Sequence, residues 1–205
     1  MTDTLLSRLD NEAGKIADIA PGGYLLALRI RGTSPLQTYN TYPKAWTDEY
    51  TQNGYMLRDP LLTWAMTVGG TIRWSSAFLP DPFGIFRKAK KHGLVYGASV
   101  ACGPLNSLTI CSMGRADREF TDDEIAAAKT IVFALHDAAK LPETLSTEDR
   151  TILGEVAKGA TGAAVARALG VTEADGRARI DALCGALLAR TPDEALRHAK
   201  DAKLL

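Results

Sequence analysis

The sequence is poor in the residues that build metal sites and disulfide frameworks. Its 205 residues contain three cysteines and three histidines: Cys102, Cys111, Cys184, His92, His136 and His198. An odd number of widely spaced cysteines in apolar surroundings favours buried free thiols over disulfides or a zinc site. The histidines fit no metal-ligand spacing, and no serine or cysteine stands in a nucleophile motif with a histidine partner. We therefore expect no catalytic residue, no metal, no cofactor and no enzymatic activity.

Long hydrophobic runs are also missing. No stretch approaches the roughly 20 consecutive apolar residues that a membrane span needs. The segment MTDTLLSRLDNEAGK at residues 1–15 has acids where a signal peptide would have a basic flank and an apolar run. We therefore expect a cytoplasmic protein with no membrane partner.

There is no excess of charge of either sign. Lys plus Arg and Asp plus Glu both total 24, so the formal net charge is zero. Charge alone therefore neither requires nor excludes a nucleic-acid partner. The 46% of hydrophobic and 23% of charged residues are typical of a folded globular chain and argue against disorder.

The hydrophobic periodicity of the first 140 residues predicts a mixed domain. Helical patterns are predicted at 3–20, 43–53, 60–67, 83–92 and 122–140, and strands at 24–30, 36–41, 71–74, 94–101 and 108–113. Strands flanked by helices on both sides in the sequence indicate a central antiparallel sheet covered on both faces. The fold class predicted for this part is α/β (α+β), an α-β-α sandwich.

The stretch LPETLSTED at residues 141–149 interrupts the periodicity with Pro, Ser, Thr and acids. We therefore expect an N-terminal domain at 1–140, a linker at 141–146 and a C-terminal domain at 147–205. Four short helices are predicted there, at 147–158, 162–168, 173–189 and 192–202. They suit a small all-α domain containing a helix-turn-helix, and a generic helical hairpin fits the same pattern.

The segment YPKAWTDEYTQNGYMLRDP, residues 42–60, gathers aromatic side chains ahead of Asp59, the acid that immediately precedes a proline. Tyr42, Trp46 and Tyr50 are spaced i, i+4, i+8, so a helix would place them on one face. Such a stripe is also typical of an ordinary core, because aromatic side chains are large apolar groups. Asp59, followed by Pro60, fits the start of a helix, where Asp accepts hydrogen bonds from exposed backbone amides. The stretch therefore predicts a capping acid beside a core, a pocket that holds a mostly apolar ligand by one polar group, or both.

These residues, taken with Trp74, GLVYGAS around Gly97 and LSTEDRTILGEVAKGATGAAVARALGVTE near the C-terminus, resemble the LuxR family of quorum-sensing transcription factors. The resemblance extends from about residue 20 to the end and depends on the matched spacing of the motifs. It implies an N-terminal domain that binds an N-acyl-homoserine lactone, the autoinducer. It also implies a C-terminal helix-turn-helix domain that binds double-stranded DNA as a homodimer.

The resemblance implies six ligand-binding residues: Tyr42, Trp46, Tyr50, Asp59, Trp74 and Thr109. By this resemblance Trp46 donates its indole N–H to the lactone carbonyl, Asp59 accepts the ligand amide N–H, and Tyr42 donates to the acyl carbonyl. Tyr50 and Trp74 are implied to wall the ligand. Thr109 is implied to supply a hydroxyl near the amide or a 3-substituent, with Ser112 as the alternative.

The implied DNA-binding residues are Arg167, Thr172, Arg177 and Arg179. Asp175 and Gly176 depart from the family here, since an aspartate repels phosphates and a glycine in a helix costs about 1 kcal/mol relative to Ala and removes an apolar anchor. Residues 145–205 carry nine basic and nine acidic side chains, whereas DNA-reading domains are usually basic. Two hypotheses therefore stand: a lactone-responsive DNA-binding regulator, or a divergent protein with weak or no DNA binding that forms a heterodimer with a LuxR-type relative.

Overall fold

The computed structural model describes residues 4–32, 34–159 and 162–205. The chain divides into two compact units. One comprises Leu9–Ala138, and the other comprises Ala139–Leu205 together with the described residues up to Arg8. Within the described ranges, no helix combines the length and the apolar character that a bilayer crossing requires.

A five-stranded antiparallel sheet forms the centre of the first unit. Its strands are β1 (Tyr24–Ile30), β2 (Gln37–Asn40), β3 (Gly70–Arg73), β4 (Tyr96–Cys102) and β5 (Leu108–Arg115). Their order across the sheet is β2-β1-β5-β4-β3, and every neighbouring pair is antiparallel. The predicted fold class and the antiparallel arrangement of the sheet are confirmed.

Helices precede, connect and follow these strands. They are α1 (Leu5–Gly14), α2 (Ile16–Ile19), α3 (Lys44–Gln52), α4 (Pro60–Thr67), α5 (Ile85–Lys90) and α6 (Asp122–Ala138). The single helix predicted over 3–20 is wrong, because the chain leaves the helix after Gly14 and starts a new one at Ile16; residue 3 lies outside the described residues. The break follows a glycine, the ordinary residue with the lowest helix propensity after proline.

Both faces of the sheet are covered. Every residue of β5 is buried, and alternate residues of a strand point to opposite faces, so neither face of β5 is open to solvent. Helix α6 packs on β1, β4 and β5, and α4 packs on β4 and β5. Leu108 and Ile110 cluster with residues of α4, which defines the α4 face of the sheet. Thr109 bonds His136 of α6, which defines the α6 face.

The described residues between 139 and 205 form four helices around one apolar core. They are α7 (Thr147–Val156), α8 (Gly162–Leu169), α9 (Glu173–Ala186) and α10 (Pro192–Asp201). The core includes Ile152, Leu153, Val165, Leu183, Leu187 and Ala199. Burying a Leu, Ile or Val side chain contributes about 1.5–3 kcal/mol, so this core accounts for a small stable helical unit. Ser146 and Asp149 form a reciprocal capping box at the start of α7.

The close approach of α8 and α9 gives Gly176 a role that the sequence did not indicate. Gly176 is buried in α9, and a Cβ atom placed there would lie 2.8 Å from Cβ of Ala166 and 3.1 Å from its Cα. The interpretation of Gly176 as a lost apolar anchor is therefore corrected. The glycine lets the two helix backbones pack against each other.

Candidate ligand-binding site

Trp46 and Tyr50 lie on one face of α3 and belong to an aromatic cluster; Tyr42 lies two residues before the helix, so the single helical face predicted for all three holds for Trp46 and Tyr50 only. We call Tyr42, Trp46, Tyr50, Tyr55 and Trp74 the aromatic cluster; they pack together with Ile85, Ala89 and Leu94. Trp46 is only 5% exposed and meets the ring of Tyr50 edge-on at 5.6 Å. Among the described residues, none bonds the indole N–H of Trp46. The cluster therefore offers a large apolar surface with an unused donor.

Asp59 joins this cluster to α4. One carboxylate oxygen, Oδ1, accepts from the backbone N–H of Leu61 at 2.8 Å and caps α4, as the Asp-Pro pair predicted. The other, Oδ2, accepts from the hydroxyl of Tyr50 at 2.7 Å. Asp59 is partly buried, and this burial raises the pKa of its carboxyl, although both hydrogen bonds act in the opposite direction. Each oxygen can still accept a second hydrogen bond, so the cap does not exclude a ligand N–H.

Trp74 lies flat against the sheet. Its backbone N–H donates to the carbonyl of Gly97 at 2.8 Å. A Cβ atom at Gly97 would lie 2.0 Å from the Trp74 ring, so only glycine allows the indole to rest there. Phe86 of α5 stacks on the same indole, with ring centroids 5.1 Å apart and planes 17° from parallel. Gly97 thus provides the space on the sheet in which the Trp74 ring of the aromatic cluster packs.

A row of polar groups crosses the α4 face of the sheet beneath the cluster. The indole N–H of Trp74 donates to Oγ of Ser99, and the Ser99 hydroxyl donates to Oγ of Ser112, both at 3.2 Å. The hydroxyl of Tyr42 also donates to Oγ of Ser112 at 3.2 Å. We call Tyr42, Ser112, Ser99 and Trp74 the hydroxyl row. Burial raises the pKa of the Tyr42 phenol, so this group stays a neutral donor.

Thr109 does not lie with these residues. Its hydroxyl is on the α6 face, where it contacts Nδ1 of His136 at 2.8 Å and accepts from the backbone N–H of Arg29 at 3.0 Å. Arg29 stands at a bulge in β1 with a φ of 48°, and its guanidinium bonds the carbonyl of His136 and the hydroxyl of Ser107. Thr109 therefore helps to hold this bulge against α6. The hydroxyl that reaches the aromatic cluster belongs to Ser112, the alternative named from the resemblance.

The sequence did not indicate several other residues at this site. No pattern in the sequence singled out Tyr55, Phe86 or Ser99. Strand pairing could have indicated Ser99, because it lies on the same face of the sheet as its antiparallel partner Ser112. Glu49 was also missed: its carboxylate accepts from the Tyr55 hydroxyl at 3.0 Å and bonds Nε2 of His92 at 2.7 Å. These bonds lower the pKa of Glu49, chiefly through His92. They tie α3 to the turn after α5 beside the cluster.

A comparison with protein families identifies this arrangement. The family model described as the autoinducer binding domain matches residues 24–139, which is more than half of the chain. The chain belongs to this LuxR-type family. The matched residues include the aromatic cluster, Asp59 and all five strands.

Individual relatives agree with this assignment. The HTH-type quorum-sensing regulator RhlR of Pseudomonas aeruginosa is 26% identical over 104 residues, which are 48% of this chain and 43% of RhlR. The match thus spans less than half of that regulator. Among solved structures, Escherichia coli SdiA has a TM-score of 0.54 at 21% identity, covering 96% of this chain and 91% of SdiA.

Two further solved structures share the fold. SdiA in complex with octanoyl-rac-glycerol has a TM-score of 0.51 at 19% identity, with 97% of this chain and 87% of that one covered. CepR2 from Burkholderia cenocepacia, described as an N-acylhomoserine-lactone-dependent LuxR family transcription factor, has a TM-score of 0.51 at 20% identity. That match covers 66% of this chain and 83% of CepR2. At these identities the similarity establishes the fold alone.

The residues predicted to contact DNA in this LuxR-type chain lie on α8 and at the start of α9. Arg167 is exposed on α8, while Thr172 caps α9 by accepting from the backbone N–H of Asp175. Arg177 is ion-paired with Glu173, and Arg179 is paired with Glu148 of α7. Two of the three arginines thus already have carboxylate partners.

The described part of this LuxR-type chain also contains no group of three or more His, Cys, Asp and Glu side chains arranged to hold a metal ion. Cys102, Cys111 and Cys184 are free thiols, and burial raises the pKa of each. The pKa of Cys102 is raised to about 11. A thiol with so high a pKa is a poor nucleophile at neutral pH.

Proposed function

We propose that this protein is a ligand-responsive quorum-sensing regulator whose domain at residues 1–140 binds an N-acyl-homoserine lactone. The main support is that the hydrogen bond between Tyr50 and Asp59 lies at the aromatic cluster, on one face of the sheet. This combination offers apolar walls beside a partly buried acceptor. Small-molecule sites are typically built in this way, from apolar walls and a few fixed polar groups.

The chemistry of the ligand matches the polar groups of the site. An acyl-homoserine lactone has an amide N–H, an amide carbonyl, a lactone ester and an apolar tail. Leaving a buried amide group without a partner costs about 1–3 kcal/mol, so each needs a counterpart. We assign the amide N–H to Asp59, the amide carbonyl to the Tyr42 hydroxyl, and the lactone carbonyl to the free indole N–H of Trp46. Tyr50 and Trp74 wall the ligand, and Ser112 replaces Thr109 as the nearby hydroxyl.

The apolar tail has a matching surface on the same face. Leu61, Trp64 and Leu79 form a buried cluster with Ala101, Leu108 and Ile110 of the sheet. The relatives support a ligand of this kind, since SdiA is known in complex with octanoyl-rac-glycerol and CepR2 is described as N-acylhomoserine-lactone dependent. Octanoyl-rac-glycerol and an N-acylhomoserine lactone are both amphiphiles with an acyl tail and a polar head.

The proposed mechanism couples ligand binding to DNA binding. A ligand that binds only the folded domain stabilises it by mass action, by about 2.7 kcal/mol at a concentration of 100 Kd. We propose that this favours a homodimer in which two domains at 147–205, each joined by a linker at 141–146, bind a two-fold symmetric DNA site. Arg167, Thr172, Arg177 and Arg179 are the proposed DNA-contacting residues.

A second candidate function is supported by the ion pairs of α9. Since Arg177 and Arg179 pair with carboxylates and Asp175 is exposed at the start of the helix, contacts with phosphates are weakened. The protein would then bind the lactone and act through a heterodimer with a LuxR-type relative, without reading DNA itself.

A gel-shift titration with and without lactone tests the regulator against this alternative. The regulator is expected to shift double-stranded DNA only with lactone present, with an affinity that falls steeply as salt rises, because phosphate contacts release counterions. The variant Arg167→Ala should weaken binding and reduce the salt slope by about one unit. Absence of a shift at low salt, up to high micromolar protein, would contradict the regulator and leave the heterodimer.

A further inference from the structure

Three large apolar side chains are exposed beside the aromatic cluster. Leu57 is 85% exposed, and Met56 and Phe83 are each about half exposed. Met56 and Leu57 belong to a 3₁₀ turn, Tyr55–Arg58, between α3 and α4, and Phe83 lies two residues before α5. Exposed apolar residues that are scattered singly are normal, whereas a contiguous group of them marks an interaction surface.

Two cationic side chains join the turn to Phe83. The guanidinium of Arg58 lies 5.6 Å from the centroid of the Phe83 ring and 6.0 Å from that of the Tyr55 ring. The ammonium of Lys88 lies 4.6 Å from the Tyr55 centroid and donates to the carbonyl of Phe83 at 3.1 Å. The exposed apolar residues of the turn and Phe83 are therefore parts of one surface.

A third cation, Lys91, lies on the same side of α5. It is exposed just after the helix. The pKa of Glu49 is lowered chiefly by the bond to His92, and the charge of Lys91 lowers it further. Because Glu49 also bonds the Tyr55 hydroxyl, Lys91 belongs with the two cations at the Tyr55 ring. We call the following residues the basic-apolar surface: Met56, Leu57, Arg58, Phe83, Lys88 and Lys91.

Nearby carboxylates do not neutralise this surface. Residues 87–91, RKAKK, carry four cations in five positions. Within the part of the chain that the structure describes, none of the three cations of the surface makes an ion pair. Glu49 is bonded to other groups, and Asp81 accepts from two backbone N–H groups at the start of α5. The surface therefore presents exposed apolar groups within a positive field.

An anionic lipid bilayer fits this combination better than a protein does. Each Lys or Arg beside an anionic bilayer contributes about fivefold in affinity, and apolar side chains that enter the headgroup region add to it. Lys and Arg also suit this position because their apolar stems pack on rings while their charged ends stay in water. Protein interfaces, in contrast, are depleted in lysine, and three of the four cations at 87–91 are lysines.

We propose that the basic-apolar surface docks on anionic lipid bilayers, with its apolar side chains among the headgroups and its cations against the lipid phosphates. Such docking needs no spanning segment, so the missing long apolar runs, which led us to expect no membrane partner, do not bear on it. Tyr55 belongs to the aromatic cluster and lies against Arg58 and Lys88, so a docked bilayer would border the candidate ligand site. The inference goes beyond the proposed function, and it uses none of the groups assigned to the lactone.

Co-sedimentation of the full chain with lipid vesicles, without lactone, tests the inference. One set of vesicles contains phosphatidylcholine alone, and the other contains equal parts of phosphatidylcholine and phosphatidylglycerol. At low salt we expect binding to the mixed vesicles to be about tenfold or more tighter, and to weaken as salt screens the charges. The double variant Lys88→Gln, Lys91→Gln should weaken it about twentyfold. Leu57→Ser should weaken it about tenfold with no change of charge.

Matched variants elsewhere in the first unit serve as controls. Lys15→Gln with Lys129→Gln removes the same charge on the α6 side of the sheet, where Lys129 lies on α6 and Lys15 precedes α2, which packs on α6. Val68→Ser removes another exposed aliphatic side chain, at the far end of α4. Both should change vesicle binding by less than about threefold, because charges beyond about 10 Å are screened.

Four results would overturn the inference. They are no binding to the mixed vesicles at low salt, equal binding to both kinds of vesicle, binding that survives the Lys88, Lys91 and Leu57 changes, and an equal loss in the controls. Soluble polyglutamate that binds through Lys88 and Lys91 when vesicles do not would favour an acidic protein partner instead. Lactone binding without vesicle binding leaves the proposed function in place, and vesicle binding without lactone binding supports this inference alone.

Discussion

At the scale of single residues, Asp59 combines a structural and a proposed functional role. Its Oδ1 caps α4 while its Oδ2 accepts from Tyr50. Burial raises the pKa of the carboxyl, so the charged form is less favourable in the folded chain than in the unfolded one. A ligand N–H bonded to Asp59 would favour the charged form and offset part of that cost.

Asp59→Asn separates the two roles. Asn is as good a helix cap as Asp, so we expect thermal stability to change little. Lactone affinity should fall about tenfold or more, because a hydrogen bond to a charged acceptor is worth about 1.5–3 kcal/mol. Calorimetric titration and thermal unfolding measure the two effects. Asp48→Asn is the matched control, since Asp48 pairs with Lys44 elsewhere on α3. Unchanged lactone affinity in Asp59→Asn would contradict the ligand-binding role and leave Asp59 as a helix cap only.

The residues of the site were predictable where local spacing decides their position. Trp46 and Tyr50 share a face because they are four residues apart on α3, and Asp59-Pro60 marks a helix start. Tyr42 lies two residues before α3 and joins them through packing rather than through helical spacing. Thr109 and Ser112 were harder to assign, because they lie three positions apart on β5 and therefore face opposite sides. Strand alternation shows that two such residues differ in face, but only the packing of α4 and α6 shows which face holds the site.

At the scale of elements, the contact between α8 and α9 depends on a small residue. A Cβ atom at Gly176 would meet Cβ of Ala166 at 2.8 Å, whereas a Cβ atom at Gly185, on the same helix, has nothing within 4 Å. Two glycines of α9 therefore differ only in their surroundings. This makes them a matched pair for measurement.

Gly176→Ala should destabilise the second unit, while Gly185→Ala should stabilise it. Alanine gains about 1 kcal/mol of helix propensity at either site. At Gly176 the overlap with Ala166 forces the helices apart, and overpacking costs about 1–3 kcal/mol. Urea unfolding of the two variants measures the difference. Equal stabilisation of both would show that α8 and α9 are not held at this distance.

The elements themselves were largely predictable from the sequence. β1 was predicted at its observed bounds, and α4 also agrees, because an Asp-Pro start and an apolar pattern specify it locally. The break between α1 and α2 was missed, since helical periodicity continues across Gly14. The role of Gly176 was missed for another reason: it depends on a neighbouring helix whose distance no local pattern encodes.

At the scale of the whole molecule, each unit has its own core, and the second unit contains a buried histidine. His198 is 1% exposed; its Nδ1 contacts the carbonyl of Leu187 at 2.7 Å, and its Nε2 contacts the guanidinium of Arg197 at 3.0 Å. Nδ1–H therefore donates to the carbonyl and Nε2 accepts from Arg197, which requires a neutral ring. Burial lowers the pKa of His198, and the positive charge of Arg197 lowers it further. The negative charges of Glu194 and Asp201 raise it, but by less than burial lowers it.

The free energy of unfolding of the second unit should therefore fall as the pH drops below about 6.5. The unfolded histidine takes up a proton near that pH, while the folded one takes it up at a lower pH. Between the two values the unfolded state holds more protons, so acid favours unfolding. Urea unfolding at pH 7.5 and 5.5 measures this, and His198→Gln should show a smaller difference. The same pH dependence in the unmodified chain and in His198→Gln, or a rise in stability on acidification of the unmodified chain, would contradict this prediction.

Binding of an acyl-homoserine lactone by the aromatic cluster and Asp59 can be measured by calorimetric titration of the full chain with lactones of increasing acyl length. We expect saturable binding with one lactone per chain for at least one length, and a rise in melting temperature with ligand concentration. No heat of binding and no shift in melting temperature for any length would contradict it.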